Sequence, residues 1–175
     1  MIETERLILR GWEDRDHAPF HQIGQDARVM ATLGPLLSRD ETDALIQRMR
    51  TIQQAEGFTF WAIERREDGA FIGFCGLKPG AEDTPIQGKV EIGWRLAYEH
   101  WGKGYAREAA QASLNWAWAK GLDSIAAITT PGNTRSWGLM ERLGMTRVPQ
   151  DDFDHPKAID QLKAHWTYRI RRPAR

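Results

Sequence analysis

Alternating hydrophobic and polar residues mark several short segments of the chain, and a period of two is typical of half-buried β-strands. In residues 89–96, Val90, Ile92, Trp94 and Leu96 occupy every second position, so they share one face of the predicted strand. Further strands are predicted at 6–10, 58–65, 71–78, 124–130, 145–148 and 165–171.

Helical periodicity and helix boundary signals account for much of the remaining chain. Ser38 and Glu41 have the spacing of a capping box, in which each side chain bonds to the backbone of the other residue. The helix that begins there is expected to reach about residue 55, because Gly57 follows as a stop signal. The predicted helices span 14–24, 27–33, 38–55, 105–120 and 134–143.

The order of three of these elements predicts how two strands lie. The strand at 89–96, the helix at 105–120 and the strand at 124–130 follow one another directly. A right-handed crossover of this kind places its two strands parallel in one sheet. The chain has 175 residues, which fits one domain spanning 1–175 with a sizeable core. The sequence therefore predicts a single α/β domain.

The connection between the first of these strands and the helix has the chemistry of an anion site. Gly102 and Gly104 allow the backbone to come close to a ligand, and the helix that follows offers unpaired N–H groups at its start. Such a turn binds phosphate oxygens. It is not a nucleotide P-loop, because the pattern G-x-x-x-x-G-K-[ST] is absent. It is also not a G-x-G-x-x-G fingerprint, because Arg107 occupies the position of the third glycine.

Composition excludes several classes of partner. The 24 basic and 24 acidic residues balance, so no net field favours nucleic acid or an anionic membrane. The single Cys75 lies in an apolar run, is expected to be a buried structural thiol, and fits a reducing compartment. No signal-like segment or membrane-length apolar run is present, and no His, Cys, Asp or Glu set has metal-ligand spacing. These features predict a cytoplasmic domain without a bound metal.

Two motifs resemble those of the GNAT acetyltransferases. Gly104 and Ala106 match the turn that holds the acetyl-CoA pyrophosphate in that family, although Trp101 stands where Gln or Arg is usual. Residues 133–145, NTRSWGLMERLGM, resemble the second acetyl-CoA motif of the same family. Residues 4–10, TERLILR, resemble the opening of its RimJ/RimL-like branch.

The resemblance implies a mixed, mostly antiparallel sheet of six to seven strands, with a parallel pair around an acetyl-CoA cleft and helices on both faces. It also implies that the pantetheine arm lies like an extra strand between the strands at 89–96 and 124–130, where Gly93 would leave room. The implied cofactor-binding residues are Ile92, Gly93, Trp94, Trp101, Gly102, Lys103, Gly104, Tyr105, Ala106, Asn133, Ser136 and Arg142.

The family reaction moves an acetyl group to an amine, which requires a proton acceptor and stabilisation of the developing oxyanion. Glu91 is the predicted general base, acting directly or through water, because it lies on the strand face opposite to Ile92. The alternative is a surface glutamate that pairs with Lys89 or Arg95. The resemblance implies that Ser136 lies near the thioester sulfur and acts as general acid.

The acceptor pocket is predicted from aromatic residues of the early helices and from an acidic loop whose charge would attract an amine. Three functions compete: an N-acetyltransferase for protein N-terminal or small-molecule amines, a non-catalytic acyl-CoA sensor on the same fold, and an interaction domain with tryptophan-rich faces. The resemblance adds the expectation of a homodimer. The residues assigned to the acceptor pocket are Trp12, His17, Phe20, Leu33 and the loop at 151–155.

Overall fold

The computed structural model describes residues 1–174, which form one sheet with helices on both sides. The strands run in the order β1-β2-β3-β4-β5-β6-β9-β7, and β8 pairs with β9. All neighbouring strands are antiparallel except β5 and β6. The strands are β1 Ile2–Glu3, β2 Leu7–Arg10, β3 Phe60–Arg65, β4 Phe71–Pro79, β5 Val90–Leu96, β6 Ser124–Thr129, β7 Thr146–Arg147, β8 Phe153–Asp154 and β9 Ala164–Arg171.

The predicted fold class is confirmed, with differences at the edges. The strands β2 to β7 and β9 are those expected from the sequence, and the two-residue strands β1 and β8 are too short to give a periodic signal. The predicted helix at 27–33 stops at Met30, before the break at Gly34. The helices are α1 His17–Gln25, α2 Ala27–Met30, α3 Arg39–Glu56, α4 Tyr105–Ala119 and α5 Thr134–Arg142.

The two faces of the sheet carry separate hydrophobic clusters. Because side chains alternate along a strand, Trp61 and Ile63 of β3 pack with α4 and α5, whereas Phe60 and Ala62 pack with α1 to α3. Cys75 lies in the α4 cluster, where burial raises the pKa of its thiol to about 12. This thiol is therefore a packing group, as the sequence predicts.

The capping box of α3 is present as predicted. Ser38 Oγ accepts from the Glu41 amide at 3.2 Å, and Glu41 Oε2 accepts from the Ser38 amide at 2.7 Å. Replacing Ser38 with alanine is expected to lower the free energy of unfolding by about 1 kcal/mol, since one helix-end amide loses its acceptor. Urea denaturation measures this, with Ser38→Asp as the control that keeps an acceptor oxygen. Equal unfolding midpoints for Ser38→Ala and the unsubstituted chain would contradict the expectation.

Candidate functional site

A cleft opens where the parallel strands β5 and β6 separate. The two strands pair only at Glu91 and Ala126. Beyond that position their facing edges diverge around a cleft of about 730 Å³, lined on one side by β5 from Ile92 to Leu96 and on the other by Ile128. Unpaired strand edges are templates for an extended ligand that carries its own amide groups. The expected gap between these strands is therefore present.

The glycine turn forms one end of this cleft with its backbone donors free. Gly102 and Gly104 have φ values of +74° and +83°, which side-chain-bearing residues rarely adopt. Within residues 1–174, the amides of 102–107 donate to no protein acceptor, and Gly104 caps α4 without a side-chain bond. Free amides at the positive end of a helix dipole form a phosphate site.

Trp101 fixes this turn to the end of β5. Its indole Nε1 donates to the Leu96 carbonyl at 2.9 Å, and its amide donates to the Tyr98 carbonyl at 3.0 Å. The Arg135 guanidinium carbon lies 5.2 Å from the Trp101 ring centroid, which places a cation from α5 beside the turn. The tryptophan at this family position therefore has a structural role of its own.

Arg6 holds the same turn from the opposite side, a contact that the sequence did not reveal. Its Nη1 donates to the Lys103 carbonyl at 3.0 Å, and its Nε donates to Glu108 Oε2 at 2.7 Å. Its guanidinium carbon lies 4.6 Å from the Tyr105 ring centroid. The N-terminal segment thus braces the first turn of α4.

Replacing Arg6 with alanine is expected to raise the KM for the phosphate-bearing ligand of this turn by roughly tenfold, the equivalent of about one charge-assisted hydrogen bond. The turn would then keep its glycines and lose the contact that orients the Lys103 carbonyl. Steady-state kinetics measures the effect, and Arg66→Ala, which removes an exposed arginine that donates to Thr4, is the matched control. If both variants had the same KM, Arg6 would have no positioning role.

The second predicted motif lies at the same cleft. Asn133 Oδ1 accepts from the Ser136 amide at 3.3 Å, so Asn133 is the N-cap of α5. The side chain of Ser136 lines the cleft, and its Oγ makes no hydrogen bond to any residue from 1 to 174. Arg142 lies one to two turns further along α5, also at the cleft, and is exposed.

Glu91 lies at the inner end of the cleft and is only 8% exposed. Its carboxylate forms an ion pair with Lys78, directly opposite on β4. The expected alternative partners, Lys89 and Arg95, form no salt bridge with it. A buried carboxylate facing a cleft, with one neighbouring ammonium, is chemically suited to accept a proton from a bound molecule.

The role predicted for Gly93 needs correction. A Cβ at this position would lie 2.7 Å from Phe60 Cζ, so the missing side chain accommodates the Phe60 ring. That ring stacks on Phe74 at 5.2 Å with an interplanar angle of 9°. Gly93 still lines the cleft, whereas Lys103, also predicted to bind the cofactor, is not among the lining residues and contributes its carbonyl to Arg6.

The acceptor pocket predicted from the early helices is largely wrong. Trp12 and Phe20 are 6% and 2% exposed and belong to the aromatic core, where Trp12 Nε1 donates to the Phe60 carbonyl at 2.7 Å. His17 Nδ1 lies 2.5 Å from Asp43 Oδ1, away from the cleft. Leu33 alone of that set lines the cleft.

Two of the three aspartates in the acidic loop, Asp151 and Asp152, do not form a free acidic rim, and the third, Asp154, is exposed but does not line the cleft. Asp151 is ion-paired with Arg169, and Asp152 accepts from Arg147 at 2.5 Å. Their charges are therefore compensated within the loop, and neither residue lines the cleft. Sequence patterns carry no information on these pairings because the partners come from β7 and β9.

The structure also adds residues to the cleft that the sequence analysis did not assign. They include three cations, a pair of stacked aromatic rings, two threonines and two histidines. Period-two alternation could have assigned Arg95, because it shares a strand face with Glu91. These residues are Arg95, Arg107, Arg135, Phe60, Phe74, Thr129, Thr130, His100 and His165.

Two further properties concern the described chain as a whole. No helix within residues 1–174 combines the length and apolarity that a membrane crossing requires. No group of three or more His, Cys, Asp or Glu side chains in that part of the chain is arranged to hold a metal ion.

Comparison with known proteins places the geometry in a family. The protein-family model described as "Acetyltransferase (GNAT) domain" matches residues 6–146 of the sequence. The Bacillus subtilis protein YkkB is 34% identical over 146 residues, covering 82% of this chain and 84% of YkkB. An acetyltransferase structure from Agrobacterium tumefaciens superposes with a TM-score of 0.81 at 26% identity, covering 98% of this chain and 94% of that one. The ribosomal L7/L12 α-N-protein acetyltransferase RimL, in complex with coenzyme A, shares the fold at a TM-score of 0.75 and 17% identity, covering 96% and 95%.

Proposed function

This chain belongs to the GNAT family of acetyltransferases, and we propose that it moves the acetyl group of acetyl-CoA to a primary amine by direct attack in a ternary complex. One observation carries the proposal. The free amides of residues 102–107 open onto a cleft that follows the unpaired edge of β5 as far as Glu91. A single ligand with a diphosphate, an amide-containing arm and a reactive end would contact the free amides, the β5 edge and Glu91, respectively.

Acetyl-CoA has these three parts in that order. Its diphosphate would accept hydrogen bonds from the turn, where Arg107 and Arg135 add positive charge, and Arg142 would add a further cation to the cleft. Its pantetheine arm would pair with the β5 edge in the gap. The coenzyme A complex of RimL supports this cosubstrate, because that protein shares the fold.

The reactive end would then lie among the groups that the chemistry requires. The attacking amine gives its proton to Glu91, directly or through a water molecule, while its lone pair forms the new bond to the acetyl carbon. A backbone N–H of β5 near Gly93 stabilises the negative charge that develops on the carbonyl oxygen. As the C–S bond breaks, Ser136 donates its hydroxyl proton to the leaving thiolate. The proton that Glu91 took from the amine then returns to the Ser136 oxygen through water, so both side chains regain their starting states. Lys78 pairs with the Glu91 carboxylate and holds it beside the cleft.

We also assign the chain to the RimJ/RimL-like branch of the family. The segment 4–10 supports this assignment, because it resembles the opening of that branch. The fold likeness to RimL is consistent with it.

A thiol-release assay tests the proposal. Acetyl-CoA is supplied with amino acids, polyamines, aminoglycosides and peptides with free N-termini, and free coenzyme A is measured. We expect amine-dependent release, together with a thermal shift on acetyl-CoA binding worth about 2.7 kcal/mol at 100 times the Kd. A thermal shift without turnover of any amine would favour the non-catalytic sensor. The absence of both the thermal shift and the amine-dependent release would contradict the proposed function.

A further inference from the structure

The cleft contains a cation that no acidic side chain balances. Arg95 lines the cleft, and its Nε and Nη1 are withdrawn from solvent without a hydrogen-bond acceptor anywhere in residues 1–174. It forms no salt bridge with a residue of that range. The one acidic residue on the same face of β5, Glu91, is already paired with Lys78. Arg95 as a whole is half-buried, but two buried nitrogens of a cation without a partner are costly, so their retention at a cleft points to an anion that arrives with a ligand.

The walls around Arg95 are apolar and aromatic. Its guanidinium carbon lies 5.8 Å from the ring centroid of Phe20 and 5.5 Å from that of Phe74. These rings pack against the guanidinium. Their faces attract a cation weakly, and neither ring carries a negative charge that would balance the charge of Arg95. Burial lowers the pKa of Arg95 to about 10, so the group keeps its charge at neutral pH.

The position of Arg95 separates it from the phosphates of coenzyme A. Phe20 and Phe74 belong to the cluster on the α1–α3 face of the sheet, whereas the phosphate turn begins α4, which packs on the opposite face. The turn also has its own cations in Arg107, from the first turn of α4, and Arg135, which contacts Trp101. Arg95 is therefore placed on the side from which the second substrate would enter.

Glu91 and Arg95 lie on one strand face with Gly93 between them. Four residues of strand separate their Cα atoms by roughly 13 Å, and the stacked rings of Phe60 and Phe74 form the surface beneath that span. A small molecule with an amine at one end and an acid group at the other would meet the base and the cation together.

We propose that Arg95 is a specificity-determining residue that binds the carboxylate of an amino-acid acceptor. This inference rests on the proposed function and deepens it. It favours amino acids over polyamines and aminoglycosides, whose positive charges an uncompensated arginine would repel.

The test compares acceptors that differ only in this charge. Each amino acid is assayed beside its carboxamide, with acetyl-CoA saturating. For the unsubstituted enzyme we expect kcat/KM to be at least tenfold higher for the amino acid, since the carboxamide cannot form a charged pair. In Arg95→Met, which keeps an unbranched apolar stem and removes the charge, the preference should fall to within twofold, with the KM for acetyl-CoA unchanged. Arg95→Lys should restore part of the preference.

Two readouts separate this role from a structural one. A simple carboxylate such as propionate should compete with the acceptor in the unsubstituted enzyme and not in Arg95→Met. The thermal unfolding midpoint of Arg95→Met without ligand should be equal or higher, because an unpaired buried charge has been removed. This inference is wrong if amines are acetylated with no preference for the acid over its carboxamide, or if Arg95→Met chiefly raises the KM for acetyl-CoA. In either case the proposed acetyltransferase function is not contradicted. If no amine is acetylated at all, the proposed function itself fails.

Discussion

Replacing Glu91 with glutamine is expected to lower kcat by about 10²-fold or more, the usual contribution of a positioned general base. Glutamine has nearly the same size and keeps a hydrogen-bond acceptor for Lys78, so the β4–β5 pair should remain intact. What it loses is the capacity to take the proton of the attacking amine. Steady-state kinetics with saturating acetyl-CoA measures the change, and the KM for acetyl-CoA should move by less than about threefold because Glu91 lies away from the phosphate turn.

The control for this variant is Glu82→Gln, which makes the same chemical change in an exposed loop residue. Its kcat should equal that of the unsubstituted enzyme. Thermal unfolding of Glu91→Gln would show whether the burial of Lys78 beside a neutral partner destabilises the fold. A folded Glu91→Gln enzyme with kcat within threefold of the original would remove Glu91 from the mechanism.

Replacing Ala106 with glutamate is expected to raise the KM for acetyl-CoA by about 10²-fold, because it places a carboxylate among the amides that would bind the diphosphate. The fold should tolerate the change. Ala106 is only half-buried and lies in the first turn of α4, where an acidic side chain stabilises a helix by about 0.3–1 kcal/mol. The apo protein should therefore unfold at an equal or higher temperature while its thermal shift with acetyl-CoA disappears.

Ala106→Gln separates charge from size, since glutamine has almost the same volume as glutamate. Its KM should rise far less than that of the glutamate variant. Equal losses in both variants would mean that the position acts by exclusion of volume, and normal acetyl-CoA binding by the glutamate variant would place the diphosphate elsewhere. Raising the salt concentration should also narrow the difference between the two variants, because screening weakens the repulsion.

Local patterns in the sequence were sufficient for most of the elements and for the glycine turn with its free amides. Alternation along β5 predicts which side chains share a face, and two glycines before a helical pattern predict free amides at its start. These features depend on residues within one or two elements. The confirmed capping box at Ser38 belongs to the same class.

Contacts between segments that lie far apart in the sequence could not be predicted from local patterns. Arg6 reaches the turn across 97 residues of chain, and Phe60 fills the space above Gly93 from another strand. The pairing of Glu91 with Lys78 follows from the register of β4 on β5, which the intervening loop sets. Trp12 shows the converse error, because an aromatic residue suited to a pocket wall is equally suited to a core.

The single paired position between β5 and β6 has a mechanical consequence. The strands β1 to β5 and the strands β6 to β9 form two half-sheets whose backbone ladder is continuous at one point only. Their relative tilt is therefore set by side-chain packing across the seam, and small rotations about that point change the width of the opening. A cosubstrate whose amide groups bond to both edges would act as an added strand, so that the protein completes its central sheet only while it holds the molecule it consumes.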